Sequence, residues 1–160
     1  MNFVVIEMTF LRYFLPLIIE GNKRGVKSKV LIGKNNKYTD PRRYLGVIKD
    51  LAEKYDFECN IDEKSEYSGL TFFVEGVGLE DADFTGKKVS LVYACDFRHL
   101  YDKYVNKVDH IIFPSEHYAK AHSKLSSKNL YLGCPKYDVL LSKKEILKKY
   151  NLTNSKKCIL

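Results

Sequence analysis

Short, mostly apolar runs, unbroken at residues 3–6, alternate along this chain with longer stretches in which apolar residues recur at helical spacing. Residues 3–6, 29–33, 70–74, 89–93, 110–113 and 129–132 are runs of the first kind, and each predicts a short strand. A run without alternating polar positions is expected where a strand is covered on both faces, as in a parallel sheet. Residues 57–61 predict one more short strand.

The stretches between them predict helices. Thr9 can cap a helix running to about Asn22, with Gly25 as its stop. Pro16 falls inside and predicts a kink or a later start. Asp40 at an N-cap and Pro41 at a first helical position open the clearest helix, in which Tyr44, Leu45, Ile48, Leu51, Ala52 and Tyr55 share one face. A helix is expected over 97–106, and another from Ser115 as cap to about Ser123. Ser142 and Glu145 have capping-box spacing for a helix to Tyr150, and residues 157–160 begin another strand. Alternation of this kind predicts an α/β fold: an open parallel sheet with helices on both faces. No repeat, low-complexity stretch or flexible linker interrupts it.

Composition narrows the class. The chain has 160 residues, 45% hydrophobic, enough for one ordinary core. The formal net charge of +7 favours anionic partners without choosing among them. Cys59, Cys95, Cys134 and Cys158 form no CxxC pair, so they read as reduced thiols of a cytoplasmic protein. His117 and His122, five apart, do not share a helix face, and neither a metal site nor a cofactor is expected. The apolar segment 3–19 contains Glu7 and Arg12 and lacks a basic leader and a cleavage site, so it reads as strand and helix rather than signal peptide. The lysines between Lys124 and Lys157 form a basic surface whose ordinary role is solvation. Peripheral contact with the inner membrane face is the sharper alternative. Nothing resembles an RNA-recognition or helix-turn-helix signature, so nucleic acid is not an expected partner.

Candidate chemistry follows from the fold class. In an open parallel sheet, ligands bind outside the carboxyl ends of the strands, where loops and helix N-termini converge. That rule selects Glu7 with Arg12, the loop Glu75-Gly76-Val77-Gly78, the segment Asp96 to His99 with Arg98, and Ser115 with Glu116. Asp96 and His99 are the catalytic candidates, as base and as acid or phosphate contact. Glu7, Arg12, Glu75, Gly76, Gly78, Arg98, Ser115 and Glu116 are the substrate-binding candidates. Each has a plainer reading: Asp96 and Ser115 as helix caps, His99 as a solvated side chain, and the glycines as backbone at positive φ.

Two segments carry a family resemblance. Val108-Asp109-His110-Ile111-Ile112-Phe113-Pro114-Ser115-Glu116, followed by Tyr131-Leu132-Gly133-Cys134-Pro135-Lys136-Tyr137-Asp138-Val139-Leu140, resembles the CDP-glycerol glycerophosphotransferase family, where a GxPRxDxL segment occupies the second place. UDP-N-acetylglucosamine 2-epimerases carry a similar GxPxxD. The resemblance spans residues 88–160. It implies the Rossmann-like N-terminal half of a two-domain GT-B fold: 1–141 as acceptor-side domain, then 142–160 as interdomain helix and first strand of a second domain. Gly133, Pro135, Lys136 and Asp138 would mark the crossing. The implied activity is transfer of a glycosyl or glycerophosphoryl group from a nucleotide-activated donor, held mainly by the second domain, to a hydroxyl acceptor. The first domain alone is expected to be inactive. One departure stands out: the family's histidine-glycine pair at the end of the 89–93 strand is replaced by Ala94-Cys95, with Asp96 next. A sugar-nucleotide 2-epimerase domain and a non-catalytic basic binding module are the alternatives.

Overall fold

The computed structural model describes residues 1–33, 40–61, 66–93, 98–137 and Lys148. The expected helix from Ser142 and the strand over 157–160 lie outside these residues, as do Asp96 and Asp138. The chain opens with β1 (Asn2–Val5), α1 (Met8–Lys23) and β2 (Ser28–Ile32). A 3-10 turn (Pro41–Tyr44) leads into α2 (Leu45–Tyr55) and β3 (Phe57–Ile61). Then come β4 (Glu66–Tyr67), β5 (Thr71–Val74), β6 (Asp83–Phe84) and β7 (Lys88–Leu91). The remaining elements are α3 (Arg98–Tyr104), β8 (His110–Phe113), α4 (Glu116–Ala121), β9 (Asn129–Tyr131) and a 3-10 turn at Pro135–Tyr137.

Seven strands form one parallel sheet in the order β3-β2-β1-β5-β7-β8-β9. Chain order runs outward from β1 to β3, returns past β1 to β5, and then runs outward the other way. The reversal therefore lies between β1 and β5, where Phe3 pairs with Val30 on one side and Phe72 on the other. All four residues of β1 and all four of β5 are buried, which is why they are apolar apart from Asn2 and Thr71, where Asn2 Nδ2 donates to Thr71 Oγ1 at 3.1 Å.

Alternating side chains divide the core into two layers. Ile112 belongs with Phe3, Phe14 and Phe72, while its neighbours Ile111 and Phe113 belong with Tyr101, Tyr104 and Ala119. Thus α1 covers one face of the sheet, and α3 and α4 cover the other.

Several local expectations are corrected. Helix α1 starts at Met8, with Glu7 in the N-cap position; Thr9 Oγ1 donates to Glu7 Oε2 at 3.2 Å instead of capping. The helix also runs unbroken through Pro16. An interior proline costs about 3 kcal/mol, whereas each fully buried large side chain returns about 1.5–3 kcal/mol. Phe14 and Ile18, both 0% exposed, outweigh that cost. Asp40 and Pro41 do open a helical segment, with the Arg42 amide donating to Asp40 Oδ1, but its first turn is 3-10. The alternation of strand and helix breaks after β3: among the described residues no helix lies between β3 and β7, and the connection from β5 to β7 contains β6. There Phe84 packs on Phe73 and Tyr67, and β6 pairs with β4 as a second, two-stranded sheet.

Candidate functional site

The reversal between β1 and β5 brings three strand ends together. At the end of β5 stands Glu75, 5% exposed and with φ +52°. That left-handed backbone is costly for any residue but glycine, asparagine or aspartate. Two bonds hold it. The Glu75 amide donates to Leu91 O at 2.8 Å, and the Tyr93 amide, beyond the end of β7, donates to Glu75 Oε1 at 3.3 Å.

The two glycines that follow have specific work. Gly76 has φ +66°, donates its amide to Ser90 Oγ at 2.9 Å, and lies so close to the Tyr104 ring that a Cβ would collide with it. Gly78 has φ +89°, and a Cβ there would meet Val4 Cγ1 at 2.6 Å and Ile6 Cδ1 at 2.8 Å. The loop after β5 is thereby folded down over the end of β1. Between this loop and α3 lies a cleft of about 280 Å³, lined by Glu75, Gly76 and Gly78 on one side and by Lys103, Tyr104 and Lys107 on the other. Burial pushes the Tyr104 phenol above its ordinary range; the Ser90 hydroxyl opposes this, and Glu75 adds to it.

On the α1 side the cluster is aromatic and charged. The Tyr93 ring stands edge-on to Tyr13, with centroids 5.1 Å apart, and to Phe10 at 6.2 Å. Tyr13 is 1% exposed, yet its hydroxyl accepts from Arg12 Nη2 at 3.3 Å and from Lys136 Nζ at 3.1 Å. Both cations also lie over its ring, at 5.2 and 5.0 Å from the centroid. Burial raises the Tyr93 phenol first; Tyr13, Glu7 and Glu75 raise it further, and Arg12 opposes them.

The structure gathers Glu7, Arg12, Glu75, Gly76 and Gly78 from the residues expected by sequence, and adds Lys136, which the sequence assigns to the domain crossing. Ser115 takes its plainer role: its Oγ accepts from the Tyr118 amide and caps α4. Glu116 pairs with Lys120 at 2.7 Å on that helix. Gly133 turns the chain with φ +83°, and Pro135 opens the 3-10 turn that packs on α1. Arg98 and His99 begin α3, with only their backbone described, and Asp96 lies outside the described residues.

Sequence reading missed Tyr13 and Tyr93. Tyr13 looks like one more apolar position of α1; Tyr93, last in an apolar run, could have been singled out as a strand-end residue with a polar tip. Among the described residues, no group of three metal-ligating side chains occurs, and no helix is long and apolar enough to cross a membrane.

Compared with known proteins, the chain matches no family model, no curated protein and no solved structure.

Proposed function

We propose that this chain is a Rossmann-like acceptor domain of a GT-B transferase, holding a hydroxyl-bearing acceptor at the ends of β1, β5 and β7 for attack on a nucleotide-activated donor. The observation that carries this reading is the strand-order reversal itself, with Glu7 at the N-cap of α1 after β1 and the Tyr93 amide beyond β7 donating to Glu75 Oε1 at the end of β5. Carboxylates accept hydrogen bonds from hydroxyls, and the exposed part of the Tyr93 ring offers an apolar face to a sugar or polyol carbon skeleton. The adjoining 280 Å³ cleft gives room for a small acceptor. The resemblance of 88–160 to glycerophosphotransferases supports the same class of reaction. No metal or cofactor enters the reading, and cytoplasmic placement follows from it.

The test is saturation-transfer NMR on the chain with a panel of polyols, glycosides and their phosphates. Binding is expected, with ligand protons nearest Tyr93 saturated most strongly, and is expected to be lost in Tyr93→Ala. A panel without a single binder, or binding unchanged in Tyr93→Ala, would sink the proposal.

A further inference from the structure

We propose that the 3-10 turn Pro135–Tyr137 is a latch, whose docking on α1 is coupled through Tyr13 to occupancy of the Tyr93 face. The latch regulates the acceptor site and rests on that reading for the ligand, but not for the coupling between Tyr93 and the turn. The turn is reached over a bend outside the sheet. Strand pairing ends at Tyr131, Leu132 is exposed, and Gly133 turns the chain with φ +83°. A Cβ on Gly133 would meet nothing within 4 Å, so this glycine serves the bend and not close packing. A segment that leaves a sheet on such a bend can swing as a unit, because a few residues absorb the change in backbone angles.

Two side chains bring the turn back to the body. Cys134, half-buried, packs against the main core. Lys136 Nζ donates to the Tyr13 hydroxyl at 3.1 Å, and its charge lies 5.0 Å from the ring centroid. Tyr13 is buried, so its ring is positioned by what packs on it. The same ring meets Tyr93 edge-on at 5.1 Å, and Tyr93 is partly exposed with its amide tied to Glu75. The turn, Tyr13 and Tyr93 are therefore consecutive contacts, and Tyr93 is the one a ligand can cover. Lys136 and Tyr93 each limit where the Tyr13 ring sits for the other. A ligand that fixes Tyr93 thus favours the docked turn, and by linkage the docked turn favours the ligand by the same factor.

Alkylation of Cys134 by iodoacetamide on the whole chain, located by mass spectrometry, reads the docking of the turn without any ligand. Cys59 is the internal reference: it is half-buried in β3, at the opposite edge of the sheet from β9. Cys134 is expected to react about tenfold faster in Lys136→Met, which loses a bond to a charged group. Tyr93→Ala leaves every residue of the turn in place, yet Cys134 is expected to react about threefold faster there as well. Cys59 should keep its native rate in both. A Cys134 rate unmoved by Tyr93→Ala, or a Cys59 rate that rises as much as that of Cys134, would overturn the coupling. Should Tyr93→Ala fail to fold, Tyr93→Leu is read in its place by the same two rates. A polyol binder found by NMR is expected to slow Cys134 alkylation in the native chain and not in Lys136→Met; a binder that leaves the native rate unchanged also overturns the coupling. A panel without a binder removes the acceptor reading, while a Cys134 rate that responds to Tyr93→Ala still supports the link from Tyr93 to the turn.

Discussion

The Tyr93 amide donates to Glu75 Oε1 at 3.3 Å, tying the end of β7 to the end of β5 through a carboxylate whose own backbone is left-handed. One residue thus has two demands placed on it. Its side chain must reach a neighbouring strand end, and its backbone must turn the chain toward Gly76. The sequence satisfies the first at the expense of the second.

Substitutions at Glu75 should separate these demands. Asparagine tolerates φ near +50° better than alanine by about 1 kcal/mol, but its shorter side chain forgoes the bond to Tyr93. Glu75 itself already carries this backbone, so Glu75→Ala is expected to lose about 1 kcal/mol for the bond, and Glu75→Asn about 1 kcal/mol less than that, because backbone relief offsets the lost bond. Both should weaken hydroxyl-ligand binding. Urea denaturation of the two variants checks the order; an alanine variant as stable as the asparagine one would show that the backbone is unstrained.

Gly76 faces a harder constraint. A Cβ would run into the Tyr104 ring, and φ +66° disfavours alanine independently. Overpacking costs about 1–3 kcal/mol and the left-handed backbone about 1 more, so Gly76→Ala should destabilise by about 2–4 kcal/mol. In Gly76→Ala/Tyr104→Ala the ring is gone while the Cβ of residue 104, which also meets the added methyl group, stays, so the clash is partly relieved and the two losses should fall modestly short of additive in a double-mutant cycle. Strict additivity would mean the ring is not what excludes the methyl group.

How far these features were legible in the sequence depends on the range of the interactions behind them. The main strands were legible because burial on both faces writes itself as an apolar run, as in Phe3-Val4-Val5 and Phe72-Phe73-Val74. The Asp40-Pro41 start was legible because capping is local. β4 and β6 were not, because each has two residues and exists through pairing across the chain, with Phe84 between Tyr67 and Phe73. Pro16 misled because the local cost is visible in sequence, whereas the compensating burial of Phe14 and Ile18 is a tertiary fact. The site was half legible for the same reason. Glu7 and Glu75 follow from the strand-end rule, but the meeting of Tyr13 with Lys136 depends on where the last 3-10 turn packs.

Lys128 provides a test of how α3 is terminated. Its Nζ donates to Val105 O and Val108 O, both at 2.8 Å, just beyond the helix end where carbonyls lack helical partners. Lys128→Met keeps most of the apolar stem and removes both bonds. A loss of about 1–2 kcal/mol is expected, given partial solvent access. Hydrogen exchange should quicken in α3 more than in α1; uniform quickening would place the effect elsewhere.

Asp109 should make stability depend on pH in the acid range. The Lys88 amide donates to Asp109 Oδ2 at 2.8 Å, and Lys87 Nζ lies 3.4 Å from Oδ1. The amide bond first, and Lys87 after it, hold the carboxyl below its ordinary value, against a smaller opposing effect of burial. A carboxyl depressed by folding stabilises the fold at pH values above its unfolded pKa of about 3.9, and that contribution is lost as pH falls through the lower folded value. The side chain is 37% exposed, so solvent screening limits the effect to under about 1 kcal/mol. Asp109→Asn keeps an oxygen to accept from Lys88 but cannot titrate. The native chain should therefore be the more stable of the two at pH 6, with the gap closing as pH falls below about 4. Paired urea midpoints at pH 6, 4 and 3 measure that gap; a gap constant across the three would mean that Asp109 gains nothing from its charge.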